Sequence, residues 1–118
     1  MTAPPSPESL LPLPPAAFHI LLSLAEGDRH GYAIIQDVAA RTGGEVTLGA
    51  GTLYRTIQRM LEQDVIVEVD ATPPDSADER RRYYRATAFG RSVARAEAER
   101  LAGLVNLARA SGLIPRKA

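Results

Sequence analysis

The stretch "GAGTLYRTIQRM", residues 49–60, decides how the chain is to be read. Its opening, Gly49-Ala50-Gly51-Thr52, has the look of a glycine-rich phosphate cradle. Such a cradle needs a lysine followed by serine or threonine after its glycines. Here Gly51 is followed by Thr52 and Leu53, so the nucleotide reading falls. What remains is an amphipathic helix starting near Ala50. Leu53, Ile57, Met60 and Leu61 stand at i, i+4, i+7 and i+8, a buried stripe. The opposite side presents Thr52, Arg55, Thr56 and Arg59, with Tyr54 and Gln58 on its flank. Gly49 is the expected N-cap, with Thr47 close enough to compete.

Two further helices are expected upstream. One covers roughly Ala16–Glu26, with Phe18, Leu21, Leu22 and Ala25 at helical spacing and Gly27 as its stop. Asp28 and His30 then sit in a short turn. The next helix covers about Gly31–Arg41, with Tyr32, Ile35, Val38 and Ala39 on one face and Ile34 on its flank. Gly43-Gly44 ends it, and Val46 and Leu48 point to a short extended piece. Before all of this, residues 1–15 carry six of the nine prolines. They read as an extended or disordered arm that rests on the body through Leu10, Leu11 and Leu13.

Downstream, Val65–Val69 reads as a strand. A polar loop with Pro73-Pro74 at its tip follows, and then a return strand in "RRRYYRAT". In that strand Tyr84 shares the phase of Arg82 and Ala86 and points opposite to Tyr83. Thr87 caps a last helix of about Ala88–Ala110, roughly 35 Å long at about 1.5 Å per residue, with Gly112 as its stop. Ala94, Ala98, Leu101, Val105 and Ala108 recur at steps of four and three, a heptad-like seam that Leu104 and Leu107 widen. So long a stripe exceeds what three short helices and a hairpin can cover, and a second copy is its simplest partner. The alternative is that the helix folds back along the N-terminal arm.

Three helices followed by a hairpin make a mainly α (α+β) chain of the winged helix-turn-helix plan with a long C-terminal dimerisation helix. The expected parts are the arm at 1–15, the DNA-binding domain at 16–87, the dimerisation helix at 88–111 and a tail at 112–118. In this plan the third helix turns its polar side to a major groove and the wing touches a neighbouring groove or the backbone. Arg55 and Arg59 lie one turn apart and reach the same groove, and Thr52 in the first turn favours a phosphate. The candidate DNA contacts are therefore Thr52, Tyr54, Arg55, Gln58 and Arg59, with Arg80, Arg81 and Arg82 on the wing. Alternation allows only one or two of that arginine trio to face DNA. The candidate dimer contacts are Ala94, Ala98, Leu101, Leu104, Val105 and Ala108.

Composition narrows the remaining choices. A chain of 118 residues suits one domain. With no cysteine, disulfides, thiolate zinc sites and thiol nucleophiles are excluded. Only His19 and His30 are available as imidazoles, at no ligand spacing, so neither metal nor cofactor is expected. A capping or packing role suits His30. Serine catalysis lacks its nucleophile elbow, and Glu97 and Glu99 project to different sides of one helix, so no enzyme is expected. Neither a signal peptide nor a membrane span is evident, which fits a cytoplasmic protein. Net charge is zero, but it hides a division. Residues 62–79 hold seven acids and no base, and residues 80–116 hold nine arginines. Arginine suits bidentate contact with phosphate and guanine. A G+C-rich genome would produce the same bias.

Three motifs, in order, resemble the PadR family of winged-helix transcriptional regulators. "FHILLSLAEGDRHGYAIIQDV" (18–38) is similar to the family's first two helices. "LGAGTLYRTIQRMLEQDVIVE" (48–68) is similar to its recognition helix and first wing strand. "RRRYYRATAFGRSVARAEAERL" (80–101) is similar to its return strand, Thr-x-x-Gly turn and long helix. The chain departs from the pattern in four ways. Arg55 replaces a frequent proline, Asp64 a glycine before the first wing strand, and Ala86 a leucine. A tryptophan that stacks flat drugs in some members has no counterpart. The resemblance implies a homodimeric repressor on a pseudo-palindromic double-stranded DNA operator, released by a small-molecule effector or other signal. Two readings without DNA stay open at this level, a winged-helix protein-interaction module and a small-ligand-binding dimer. Zero net charge and the acidic 62–79 segment favour them.

Overall fold

A computed structural model describes residues 5–70 and 82–115. In chain order it contains a 3-10 turn at Pro7–Leu10, α1 (Pro15–Leu24), β1 (Arg29–His30), α2 (Gly31–Arg41), α3 (Ala50–Glu62), β2 (Ile66–Val69), β3 (Tyr83–Ala86) and α4 (Ala88–Ala110). Proline supports the start of α1, where Pro14 is the N-cap and Pro15 the first helical residue, a position whose N–H has no helical partner. The helix stops before Gly27, whose φ of 152° only glycine adopts freely. The cap of α2 is a side chain: His30 Nδ1 accepts the Ala33 N–H at 3.1 Å. The His30 ring also meets Tyr83 edge-on, 5.3 Å between centroids. At the start of α4, Thr87 Oγ1 accepts from Gly90 N at 2.9 Å, as its sequence position predicts.

The expected hairpin is one side of a three-stranded antiparallel sheet ordered β1-β3-β2. Arg29 and His30, read as a turn, instead pair with Tyr84 and Tyr83. On the other side Ile66 faces Ala86 and Val69 faces Tyr83. Arg85 clamps the added strand, its guanidinium donating to both Asp28 carboxylate oxygens at 2.9 and 2.8 Å. That hydrogen bond to Arg85 lowers the Asp28 pKa against its partial desolvation. Tyr84 and Ala86 point into the core and Tyr83 to the other side, as their phase requires. Val46 and Leu48 join no strand, although Leu48 is buried.

The core gathers around α1. Ile20, Leu21, Ile34, Leu53, Met60, Val65, Ile66 and Val93 are at most 2% exposed. Two helix faces differ from the sequence expectation. On α1 the buried residues are Ala17, Ile20, Leu21, Ser23 and Leu24, and Leu22 and Ala25 face solvent. On α2 Ile34 and Val38 point inward and Tyr32 is half exposed. On α1 the neighbours α2, α3, α4 and β3 cover the side that carries Ala17, Ile20 and Leu24, so the buried arc is displaced from the Phe18–Leu22–Ala25 stripe. The inner face of α3 agrees with its pattern: Leu53, Ile57 and Met60 are buried.

The N-terminal segment is held against α4. Leu13 is buried, and Leu10 and Leu11 pack on the core. The main-chain N–H of Leu13 donates to Glu97 Oε2 at 3.1 Å. Glu97 is itself 2% exposed and receives Arg100 on both oxygens, at 2.6 and 3.0 Å. The Arg100 bond, ahead of the opposing desolvation, holds the Glu97 carboxyl below its usual range. No helix among the described residues is long and apolar enough to cross a membrane.

Candidate nucleic-acid interface

The outer side of α3 is a continuous polar helix face. Thr52, Tyr54, Arg55, Gln58 and Arg59 are all exposed on it. Among the described residues neither Arg55 nor Arg59 forms an ion pair. Arg29 and Arg41 are engaged with Asp37 and Glu26, Arg85 with Asp28 and Arg100 with Glu97, whereas Arg91, Arg95 and Arg109 on α4 also form no ion pair among the described residues. What sets Arg55 and Arg59 apart is their place on one face of α3: an arginine there with no ion pair among the described residues can meet a phosphate or a base edge without first breaking one.

Two glycines set how α3 sits. Gly49 caps it with no side chain of its own, and a Cβ there would meet nothing. The helix start is therefore low and open, as close approach to a backbone phosphate needs. Gly31, at the start of α2, carries the ring of Tyr54: a Cβ there would fall 2.5 Å from the Tyr54 hydroxyl oxygen. Tyr54 thus has a packing duty besides its 52% exposure, holding α3 across α2. Only a tertiary contact shows that duty, since Tyr54 lies on the polar side of its helix.

On the wing, Arg82 is exposed and lies 3.6 Å from Glu68 Oε1 on the paired strand, a loose surface pair. Arg80 and Arg81, with the loop before them, lie outside the described residues. Asp64 precedes β2 with φ of 60°, the left-handed conformation for which glycine is the usual residue. Its carbonyl accepts the Thr87 hydroxyl at 2.6 Å, which ties the base of the wing to the start of α4.

The seam residues on α4 divide along the helix. Gly90, Val93 and Glu97 face the chain's own core, and Ala94 packs against that core as well. Beyond them the described residues leave most of the helix uncovered. Leu104 is 50%, Val105 39% and Leu107 65% exposed, and Ala98 also faces solvent. Leu101 and Ala108 are partly covered.

Three helices, with α3 presenting an exposed polar face, and the three-stranded sheet together define a winged-helix protein. Residues 20–96 match the model of the transcriptional regulator PadR-like family, and the chain belongs to that family. An uncharacterised protein of Lysinibacillus sphaericus is 34% identical over 73 residues, 62% of this chain; the chain spans 65% of that relative's length. Among solved structures, a transcriptional regulator from Clostridium thermocellum is similar at TM-score 0.69 and 24% identity, covering 80% of this chain and 86% of that one. A PadR family transcription regulator from Clostridium difficile matches at TM-score 0.69 and 23% identity, over 80% and 94% of the two chains. A third, a PadR family transcriptional regulator from Eggerthella lenta, matches at TM-score 0.57 and 24% identity over 82% of each.

Proposed function

We propose that the chain is a homodimeric repressor that reads a pseudo-palindromic DNA operator and is released from it by a signal. The observation that carries this reading is the outer face of α3, where two guanidiniums one turn apart, without ion pairs among the described residues, stand beside the wing that carries Arg82. Arg55, Gln58 and Arg59 would read base edges, and Thr52 with the helix start would hold a phosphate. Tyr54 would keep the helix at its angle and touch the backbone. One or two of the trio Arg80, Arg81 and Arg82 would supply sequence-independent phosphate contact. The bare half of α4, from Ala98 through Leu101, Leu104, Val105 and Ala108, would pair with its copy, with Ala94 at the start of the seam. That pairing sets the spacing of two recognition helices on one duplex. Repressor action fits a dimer that occupies its site until displaced.

The test is selection of bound duplexes from a random pool, followed by titration of the selected sequence. Arg55→Ala is expected to weaken the selected site by about 1–3 kcal/mol and to relax preference at one or two positions. If the variant binds the selected duplex as tightly as the parent, α3 is not the reading helix. If the pool yields no enriched duplex, the interaction readings without DNA take over.

A further inference from the structure

A groove of about 600 Å³ runs between the N-terminal segment and α3. Its volume is that of a small-molecule site. One wall is apolar, built by Leu10, Pro12 and Leu13 with Met60 beneath. The other is the flank of α3 that carries Arg55 and Arg59, whose guanidiniums form no ion pair among the described residues. Glu62, one turn beyond Arg59, also borders it. We propose that this groove binds an amphiphilic organic anion and that its occupancy excludes DNA.

The chemistry follows from the two walls. An apolar body is taken out of water by the leucine and proline surface. A carboxylate, sulfonate or phosphate head gains charge-assisted hydrogen bonds from arginine. The lining carries two positive charges against one negative. The Glu62 carboxylate drives the head toward the Arg55–Arg59 end. A cation is disfavoured there, and a neutral ligand leaves the arginines unused. The groove is also held open before any ligand arrives. Prolines stiffen its outer wall, and the Leu13 N–H to Glu97 bond pins that wall to α4. The regulatory half of the proposal rests on the DNA reading above. An anion seated on Arg55 and Arg59 occupies the groups that phosphates and bases would use, so the two ligands oppose each other reciprocally. No long-range change of shape is needed.

A matched pair of dyes separates the parts. 8-Anilinonaphthalene-1-sulfonate has an apolar body and an anionic head; N-phenyl-1-naphthylamine is the same skeleton without the charge. Both are titrated by fluorescence into the full chain. The sulfonate is expected to bind more tightly. Arg59→Gln is expected to weaken it about tenfold, the loss of one charge-assisted bond, and to leave the neutral dye within about twofold. Ser9→Trp, which fills the groove from an exposed position, is expected to weaken both, with circular dichroism verifying the fold. If the sulfonate binds and neither variant changes its affinity, the site lies elsewhere and the proposal is overturned. Absence of sulfonate binding overturns it equally. The sulfonate is then added to the chain bound to its selected duplex, where apparent DNA affinity is expected to fall as groove occupancy rises. Unchanged DNA affinity at saturating dye overturns the exclusion. If the chain binds no duplex at all, the DNA reading fails and the dye titrations still decide the groove.

Discussion

Replacing Gly90 by alanine tests the joint on which the whole interface rests. Gly90 is the third residue of α4, in the Thr-x-x-Gly turn Thr87–Gly90. Helix propensity alone says alanine is better there, by up to about 1 kcal/mol. The packing says otherwise. A Cβ on Gly90 would lie 1.9 Å from the Val65 carbonyl oxygen and 2.8 Å from its carbon. These are backbone atoms, so no side chain can swing aside. Relief needs α4 to retreat by more than about 1 Å, the gap to ordinary contact. Around that point Thr87 N donates to Val65 O at 3.1 Å, Thr87 Oγ1 to Asp64 O at 2.6 Å, and Gly90 N to Thr87 Oγ1 at 2.9 Å. Overpacking costs about 1–3 kcal/mol and weakening these bonds about 0.5–1.5 kcal/mol each at most. After the propensity gain, a net loss of about 2–4 kcal/mol is expected. Urea unfolding at fixed protein concentration reads it, as a midpoint lower by about 1–2 M for an m-value near 2 kcal/mol/M. Gly103→Ala is the matched control: same helix, same change, and nothing within 4 Å of the new Cβ. It should raise stability by about 0.5–1 kcal/mol. If Gly90→Ala is as stable as the parent, the close approach of α4 to the wing is not what holds the joint.

Leu104→Glu together with Leu107→Glu should convert a dimer to a monomer in sedimentation, because both leucines are exposed on the half of α4 that the chain leaves bare. A parent protein that is monomeric at micromolar concentration would remove the seam argument. Glu97→Ala should cost about 1–3 kcal/mol by stranding the Leu13 N–H and freeing Arg100, which is already about a third exposed. Glu97 also predicts a pH dependence. Its folded pKa is lowered, first through Arg100, so its stabilisation is complete above the unfolded value of 4.5 and is lost as pH falls through the folded one. Urea midpoints should decline on acidification below about pH 5, and less steeply in Glu97→Gln; an equal slope would reject the role. Asp64→Gly should stabilise by up to about 1 kcal/mol, since it relieves a positive φ, and a loss would mean the aspartate side chain contributes more than the strain costs.

Much of this protein is written locally. The stripe Leu53-Ile57-Met60, the cap at Thr87, the bounds of α2 and α4, and the bare arginines of α3 follow from spacing between neighbours in the chain. The helical period and capping geometry act over a few residues, so sequence suffices for them. The order of elements then determined the winged-helix plan, since short connections leave few ways to pack three helices and a hairpin. What sequence left open depends on partners far along the chain. Arg29-His30 is too short to read as a strand and becomes one only because β3 arrives beside it. Ile34 rather than Tyr32 faces inward because α2 has neighbours that periodicity does not name. Glu97 in an apolar helix face looks like a solvated charge, and its burial makes sense only with Leu13, 84 residues away, supplying a donor. Gly90 reads as a motif letter until Val65 is seen against it. Tertiary structure decided which polar and glycine positions carry contacts, because those contacts depend on distance in space and leave no period in the chain.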